Sequence, residues 1–342
     1  MAGLSRNNAK VGLILFKRIL TAIVGIPVAV FLVTKGGLLF AAAVIILTLA
    51  AWREYARMAG AKDVHTYILT SFLPSMLLVC AAGLGKVGYF MPILTFAVLG
   101  ILFEGLYRHC KCGELNWPLH VSNSLLALLY VGLLFAHIPL IREYSPETVN
   151  YLGMDFSRGE LALWMVLLGT WASDTFAYFF GIAFGKHKFC SVSPKKSMEG
   201  AVAGFIFAFA VTGGIAYHGL HTGLLPAVLT GLTVAFFAPV GDLIESVLKR
   251  SFDIKDSGNF FPGHGGVLDR FDSLLFAVPA VYYVMKLMGI SHLGVYNEKH
   301  ICIGQYRFYW QADTGSCGCQ SGKTEDPGTG GTLECKPYAA AD

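Results

Sequence analysis

The sequence is poor in charged residues. Asp, Glu, Lys and Arg make up 14% of its 342 residues, whereas soluble domains carry about 25%. Hydrophobic residues account for 55%. This composition excludes a string of ordinary soluble domains and indicates a polytopic membrane protein. The net charge is only +4, so charge gives no support for nucleic acid as a partner.

Several common catalytic motifs are missing too. The chain has no Gly-x-Ser-x-Gly elbow and no His-Glu-x-x-His motif. The glycines before Lys186 lack the spacing of a P-loop, and no Ser or Thr follows that lysine. The eight cysteines are scattered, and Cys110 and Cys112 have no second ligand pair in the apolar part of the chain. A Walker-type ATPase and a zinc site of the usual kind are therefore not supported.

Long apolar runs dominate the sequence instead. They are close to the length that crosses a bilayer as a helix and predict an all-α polytopic membrane protein with about nine transmembrane helices. The first run could also be a secretory signal peptide, but no clear small-residue cleavage site follows it, so we expect a retained helix. The nine runs are 19–34, 37–55, 66–84, 88–107, 120–141, 160–184, 199–219, 222–248 and 270–290.

Basic residues concentrate in alternate connections between these runs. With the N-terminus in the cytoplasm, 17 Lys and Arg residues fall on the cytoplasmic side and 4 in the opposite loops before the tail, as the positive-inside rule requires. We therefore expect a cytoplasmic segment 1–18, a transmembrane catalytic domain 19–292 and a polar tail 293–342. The tail is rich in glycine, which favours irregular structure. Disulfides among its four cysteines are the alternative if it lies outside the cytoplasm.

A dense polar segment, 246–272, separates the last two apolar runs. Just before and at its start, several ionisable residues recur at helical spacing on one face. Ionisable groups within spans are unfavourable and usually functional. Snorkelling to water would explain Lys249 and Arg250, but it explains the deeper Asp242 and Glu245 poorly.

This polar segment combines three kinds of residue. Asp269 and Asp272 can share a helix face, and carboxylate oxygens suit a hard cation such as Mg²⁺. Basic side chains suit phosphate oxygens, and glycines allow a ligand to approach the backbone. The combination is typical of phosphoryl-type chemistry on a polyphosphate. His264, within Gly-His-Gly-Gly, could act on a proton or be structural.

A second polar cluster lies at 173–200. Asp174 falls inside the sixth run, where an ionisable residue indicates function. Lys195 and Lys196 precede the seventh run and form an anion-receiving loop, or else only set the topology. Gly181 and Gly185 suit either close helix packing or ligand contact. We expect Asp174 and the Ser193–Ser197 loop to meet Asp242, Asp269 and the segment 246–272 in space.

Together these motifs closely resemble the CDP-diacylglycerol synthase (phosphatidate cytidylyltransferase) family. The resemblance runs from the first span to about residue 290 and does not include the tail. Two companion elements, Ser-Asp-Thr-x-Ala-Tyr from Ser173 and Ser-Pro-Lys-Lys-Ser-x-Glu-Gly from Ser193, match the family as well. The family signature stands here as Ser246, Lys249-Arg250, Lys255-Asp256, His264-Gly265-Gly266 and Asp269-Arg270-Phe271-Asp272.

The resemblance implies a reaction of CTP with phosphatidate that gives CDP-diacylglycerol and pyrophosphate in phospholipid biosynthesis. It implies Mg²⁺ as cofactor, with Asp242 and Asp269 as metal ligands, and family members add a monovalent cation such as K⁺. The implied catalytic residues are Asp242, Asp269, Lys249, Lys255, His264 and Arg270. The implied substrate-binding residues are Asp174, Lys195, Lys196, Ser197, Ser246, Arg250, Asp256, Gly265, Gly266 and Asp272.

The resemblance also implies a place in the cell. The protein would lie in the inner (cytoplasmic) membrane with its site facing the cytoplasm, in contact with the lipid bilayer, and a homodimer is compatible with this setting. One alternative is a CTP-dependent enzyme that acts on another lipid phosphate, such as an isoprenoid-type acceptor. A membrane transporter is the other alternative, but the chain shows no internal repeat and its charges crowd at one membrane face.

Overall fold

The computed structural model describes residues 21, 23–189, 193, 196–263 and 265–290, together with the backbone of 301–303, 306–311 and 316–321. The chain divides into two compact units, Met1–Ser291 and His292–Asp342.

Nine helices run through the described part of the first unit, and each overlaps one of the nine predicted apolar runs. The prediction of an all-α fold is therefore confirmed. Because α3 and α5 contain π-helical turns and α4 begins with a 3₁₀ turn, these three are not uniform α-helices. The helices are α1 (Ile23–Lys35), α2 (Gly37–Gly60), α3 (Ile68–Gly83), α4 (Val87–Cys112), α5 (Trp117–Arg142), α6 (Arg158–Phe184), α7 (Met198–His218), α8 (Leu224–Ser251) and α9 (Leu268–Leu287).

The surface of these helices is that of a multi-pass membrane protein. Among the described residues, α2, α4, α5, α7 and α8 are long and apolar enough to cross a bilayer, and α1 and α3 are shorter apolar helices. Large apolar side chains face outward along them, with Phe96 on α4 exposed by 73% and Phe31 on α1 by 51%. Exposure of such an apolar surface to water is unfavourable, whereas its contact with lipid chains is favourable. That all nine helices cross the membrane and that the N-terminus is cytoplasmic remain predictions.

A β-hairpin that the sequence analysis did not predict joins α5 to α6. Its strands, β1 (Thr148–Tyr151) and β2 (Met154–Ser157), pair antiparallel with Val149 opposite Phe156. Leu152 and Gly153 form the turn with positive φ.

Two buried arginines beside this hairpin donate hydrogen bonds to the ends of other helices. Arg142 donates from Nε to the Val33 carbonyl at 2.5 Å and from Nη2 to the Thr34 carbonyl at 3.1 Å, which satisfies carbonyl groups at the end of α1. Arg158 donates to the Ile290 carbonyl at 3.0 Å. The ends of α1 and α9 are thereby held at the same end of the bundle as the start of α6.

Helices α6 to α9 pack against one another and carry the polar clusters predicted above. Small residues permit their close approach. A side chain at Gly204 on α7 would meet Ser173 and Ala177 of α6, and one at Gly241 on α8 would meet the Asp272 backbone on α9. Gly241 therefore brings Asp242 close to the first turns of α9.

The second unit contains three strands, β3 (Ile301–Ile303), β4 (Tyr306–Gln311) and β5 (Ser316–Ser321), in one antiparallel sheet ordered β3-β4-β5. This corrects the expectation of an irregular tail for these residues. The aromatic run Tyr-Arg-Phe-Tyr-Trp in β4 has high strand propensity, which the overall glycine content of the tail conceals. The side chains of the four tail cysteines, Cys302, Cys317, Cys319 and Cys335, lie outside the described residues.

Candidate active site

Four helix ends meet at the opposite end of the bundle from the hairpin. Near the beginning of α1, the Thr21 hydroxyl donates to the Pro262 carbonyl at 3.0 Å. Just beyond the end of α2, Lys62 forms an ion pair with Asp253, which follows α8. The segment between α8 and α9 thus contacts the chain near the beginning of α1 and the end of α2, and we call residues 252–267 the α8–α9 loop.

Asp269, in the first turn of α9, organises this loop through both of its carboxylate oxygens. Oδ1 accepts a hydrogen bond from Lys249 Nζ at 2.7 Å. Oδ2 accepts from the backbone N–H groups of Ser257 at 3.0 Å and Gly266 at 2.9 Å, and the Ser257 hydroxyl lies at 3.0 Å. The side chain of Asp269 is only 9% exposed. A carboxylate with so many donors is held firmly in one orientation.

Lys249 bridges two carboxylates beneath the loop. Its Nζ lies 2.5 Å from Glu245 Oε2, one turn earlier on α8, as well as near Asp269. The lysine side chain is 14% exposed and that of Glu245 1%. Buried charges of this kind persist only when they are paired. Glu245 and Lys249, on the polar face predicted for the end of α8, therefore point toward α9 and not toward water.

The two predicted clusters meet at Asp242. Lys196, which precedes α7, forms an ion pair with the Asp242 carboxylate on α8. Asp174 on α6 and Asp272 on α9 lie close enough to Asp242 for their charges to repel it. Aspartates from α6, α8 and α9 thus converge at one place, with Lys196 among them.

A cavity of about 560 Å³ in this region is open to the surface. It is lined by Asp174, Asp242, Lys196 and Ser197 and lies between α6, α8 and the segment before α7. Arg270, exposed on α9, attracts the charge of Asp174. This cavity presents both signs of charge to a ligand, which suits a nucleotide whose phosphates are neutralised by cations.

Other predicted site residues have more structural roles in the described chain. Ser197 caps α7, and its hydroxyl accepts the Gly200 N–H at 3.2 Å. A side chain at Gly185 would collide with Ser197, and one at Gly181 would come within 3.2 Å of it. Both glycines therefore serve close packing of the end of α6, and Gly181 also lines the cavity.

The structure does not bring every predicted residue to the cluster. Lys255 and Asp256 are exposed, and no hydrogen bond or ion pair joins either to the cluster within the described residues. Arg250 is exposed as well and donates to the Ile254 carbonyl at 3.2 Å. Ser246 is half-buried on α8. Lys195 and His264 lie outside the described residues.

The glycines of the His-Gly-Gly motif are explained by the backbone. Gly265 has φ +89°, a conformation that other residues adopt only with strain, and its carbonyl accepts the Phe261 N–H at 3.0 Å to close a tight turn. Gly266 gives its N–H to Asp269, and a side chain there would collide with Ser257 and Glu54. The turn and the α9 start require glycine at both positions.

Glu54, on α2, is a residue that the sequence analysis missed. Its Oε1 accepts the Val267 N–H at 3.0 Å and its Oε2 the Leu268 N–H at 3.1 Å, and the Ser257 hydroxyl lies 3.1 Å from Oε2. It is 6% exposed. The carboxylate thus caps the N-terminus of α9, where unpaired backbone N–H groups and the helix dipole favour negative charge.

One signal in the sequence pointed to Glu54. It is a carboxylate within an apolar run, which is the same property that singled out Asp174. Its partners, however, lie more than 200 residues further along the chain, and no local pattern identifies them.

The carboxylates of this region are oxygen ligands of the kind that Mg²⁺ prefers. Five carboxylates, from Asp174, Asp242, Glu245, Asp269 and Asp272, interact with one another in this region. Within the described residues, no three potential ligands are close enough to hold a metal by themselves. Mg²⁺ usually takes only one or two carboxylates and completes its shell with water and substrate phosphates. The excess negative charge and the oxygen ligands therefore suit an ion that arrives with a nucleotide.

Comparison with known proteins agrees with this picture of a membrane-embedded nucleotide transferase. Residues 16–288 match the model of the cytidylyltransferase family, and the chain belongs to that family. A phosphatidate cytidylyltransferase of Synechocystis sp. is 32% identical over 294 residues, covering 80% of this chain and 97% of that protein. Proteins of the same name from Bacillus subtilis and Staphylococcus epidermidis are 33% and 31% identical, covering 79% and 77% of this chain and 97% and 95% of theirs. The family predicted from the motifs is thus confirmed.

Proposed function

We propose that the protein transfers the cytidylyl group of CTP to phosphatidate, forming CDP-diacylglycerol and pyrophosphate in phospholipid biosynthesis. The observation that carries this proposal is the meeting of Lys196 with Asp242, because it joins the family's Ser-Pro-Lys-Lys element to the helix that leads into the family signature. The match to this chain extends over 97% of the length of two relatives that are named phosphatidate cytidylyltransferase. The site lies at the ends of apolar helices, where a soluble nucleotide and a membrane lipid can both reach it.

The reaction needs little from a general base. A phosphate oxygen of phosphatidate attacks the α-phosphorus of CTP, and the bond from that phosphorus to the oxygen it shares with the β-phosphate breaks. A phosphate monoester is already ionised near pH 7, since its second pKa is about 6. The protein therefore contributes mainly by positioning the two substrates and by neutralising their charges.

Each basic residue of the cluster has a place in this scheme. Lys196 lines the 560 Å³ cavity, and the charge of Arg270 acts on Asp174 in its wall. Both side chains hold phosphate oxygens of CTP. Lys249 fixes Asp269 and Glu245 and orients the first turn of α9. The family resemblance assigns Lys195, Arg250 and Lys255 to phosphate contacts, His264 to catalysis, and Ser197, Ser246, Asp256, Gly265, Gly266 and Asp272 to substrate binding. Mg²⁺, with Asp242 and Asp269 as its ligands and K⁺ as an accompanying ion, would neutralise charge on the triphosphate.

The membrane arrangement follows from the substrates. CTP is soluble in the cytoplasm and phosphatidate is a lipid, so the site faces the cytoplasm from the inner membrane and opens sideways to the bilayer. The N-terminus is cytoplasmic and nine helices cross the membrane.

The acceptor is tested with purified protein, CTP radiolabelled in the cytosine ring, and Mg²⁺. One arm supplies phosphatidate and the other an isoprenoid-type lipid phosphate. We expect labelled lipid with phosphatidate and little with the isoprenoid phosphate. Label in the isoprenoid arm alone would establish the other acceptor class, and a protein that labels neither lipid would refute cytidylyl transfer.

A further inference from the structure

A groove outside the 560 Å³ cavity runs along α2. It has a volume of about 440 Å³ and lies between one face of α2 and residues 259–260 of the α8–α9 loop. Among the described residues, it shares no lining residue with the cavity that contains Lys196 and Asp242. The groove is thus a separate binding surface that borders the same loop.

The α2 side of the groove changes from apolar to basic along the helix. Ile46, Leu49, Arg53 and Arg57 follow one another at intervals of three or four residues and so lie in one stripe. Ile46 is 58% exposed, and Phe260 opposite is 46% exposed. The rise of a helix places Ile46 about 10 Å from Arg53 along the axis. An apolar wall of that length below a cationic end has the shape of a lipid with its headgroup at the interface.

The basic end of the groove suits a phosphate group. Arg53 is exposed, and within the described residues it makes no hydrogen bond or ion pair. Arg57 donates one hydrogen bond, from Nη2 to the Ser257 carbonyl at 2.5 Å, and a guanidinium has further N–H groups to offer. Two arginines one turn apart can bind the oxygens of one phosphate in the bidentate manner that lysine lacks.

Glu54 lines the same groove, but its charge is engaged elsewhere. Its two oxygens accept the N–H groups of Val267 and Leu268 at the start of α9, and this helix terminus stabilises a negative charge. The groove therefore keeps its cationic character at Arg53 and Arg57.

We propose that this groove binds the lipid phosphate substrate before it reacts, with the phosphate monoester at Arg53 and Arg57 and an acyl chain along Ile46 and Leu49. This inference rests on the proposed function for the identity of the lipid, phosphatidate. Arg57 contacts Ser257, and Ser257 contacts Asp269. Arg57 and Ser257 would thus connect a phosphate in the groove to the carboxylate of Asp269 through hydrogen bonds.

The first test measures binding without CTP. Purified wild-type protein and the Arg53→Ala variant are incubated with mixed micelles that contain phosphatidate, phosphatidylglycerol or phosphatidylcholine, and the retained lipid is counted by mass spectrometry. We expect wild-type protein to retain phosphatidate preferentially and Arg53→Ala to retain roughly tenfold less, since a hydrogen bond to a charged group contributes about one factor of ten in affinity. Equal retention by the two proteins would overturn the proposal.

A competition arm distinguishes a lipid from a free anion. Inorganic phosphate and glycerol 3-phosphate are added at millimolar concentration to wild-type protein loaded with phosphatidate. Retention of the lipid is expected, because the apolar wall contributes to binding. Displacement by either soluble phosphate would show a site for free phosphate and would contradict the lipid assignment.

The second test is kinetic. Arg53→Ala is expected to raise the KM for phosphatidate about tenfold and to leave the KM for CTP unchanged, whereas Arg53→Lys should recover part of the loss because it restores the charge. Lys111→Ala, at the end of α4, is the matched control for loss of one basic residue at the same membrane face. Equal increases in the KM for both substrates, or none, would contradict the groove.

These two tests separate the groove from the reaction itself. If wild-type protein retains phosphatidate through Arg53 but makes no CDP-lipid, the groove stands and the proposed function fails. If product forms and Arg53→Ala behaves as wild type in both tests, the function stands and the groove is refuted.

Discussion

Asp242 and Asp269 are each paired with a lysine, yet their surroundings differ. Asp269 accepts hydrogen bonds from Lys249, Ser257 and Gly266, so its orientation is fixed by the protein. Asp242 has one described partner, Lys196, and is repelled by Asp174 and Asp272. A cation bound near Asp242 should therefore be more stabilising than one bound near Asp269.

This difference predicts that Asp242→Asn will fold but lose activity. Removing one charge from three mutually repelling carboxylates should leave the thermal unfolding temperature unchanged or higher. Turnover should fall by about 10² to 10³, the usual effect of removing one preorganised electrostatic group. Initial rates over a range of Mg²⁺ concentrations, with unfolding of the purified protein followed in detergent, provide the measurement.

Asp253→Asn is the matched control for that substitution. Asp253 lies in the α8–α9 loop, is 74% exposed and pairs with Lys62 at the surface. Its replacement should change activity by less than about twofold, because exposed ion pairs contribute little. Comparable losses in the two variants would remove Asp242 from the site.

Some residues of the site could be recognised in the sequence and Glu54 could not, for a physical reason. Asp242, Lys249 and Asp269 stand out in the sequence because charge is rare in apolar runs and because they follow a compact pattern. Glu54 is more deeply buried than these three, but its partners Val267 and Leu268 offer backbone N–H groups, which every residue has. Contacts made through the backbone leave no trace in residue identity.

Helix α9 begins where four elements meet, and its N-terminus depends on α2. Glu54 accepts hydrogen bonds from the N–H groups of Val267 and Leu268, and Asp269, in the first turn, accepts one from the N–H of Gly266. The α8–α9 loop is thus held by carboxylates from two different helices. The position of Asp269 should therefore change when Glu54 loses its negative charge.

Glu54→Gln is therefore expected to impair catalysis more than stability. The amide keeps one acceptor but loses the charge that favours a helix N-terminus, which should lower stability by about 1 kcal/mol. Because Asp269 and the loop shift together, kcat should fall at least about tenfold, since small displacements of catalytic groups have large effects. Glu54→Asp, which restores the charge with a shorter side chain, should recover part of the activity.

Glu143→Gln offers a control with the same kind of contact at the other end of the bundle. Its Oε1 accepts the Gly37 N–H at 2.7 Å at the beginning of α2. A similar decrease in unfolding temperature with normal kcat is expected there. If both variants lose stability and activity in parallel, Glu54 acts only as a general structural residue.

The arrangement of helix ends divides the molecule into two faces. Thr21, Asp253 and Lys196 lie with the active-site loops. Arg142 and Arg158 lie with the hairpin at the other end. Since the basic residues are abundant at the first face and few at the second, the positive-inside rule predicts that the site faces the cytoplasm.

Labelling of single cysteines tests this orientation. In a background without other cysteines, Asp155→Cys at the hairpin and Asp253→Cys in the α8–α9 loop both occupy exposed positions. A membrane-impermeant maleimide should label position 155 in intact cells and position 253 only after the membrane is opened. The reverse pattern would invert the topology and put the site outside.

The helices themselves were predictable, but their connections were less so. Every described helix overlaps an apolar run, because a bilayer-length helix leaves a direct record in hydropathy. The hairpin 148–157 and the strands of the tail left only short patterns, which composition hides. The junction of Lys196 with Asp242 was expected from the motifs, whereas the role of α2 depended on contacts far apart in sequence.

The central claim is that the α-phosphorus of CTP ends in the lipid, and two positions of the same isotope test it. Purified protein is supplied with phosphatidate and Mg²⁺, and with CTP labelled with ³²P at either the α- or the γ-phosphate. We predict that α-label enters the chloroform phase as CDP-diacylglycerol and that γ-label remains in water as pyrophosphate. Transfer of γ-label to the lipid would show a kinase reaction and would contradict the account, as would a lipid phase without label from either nucleotide.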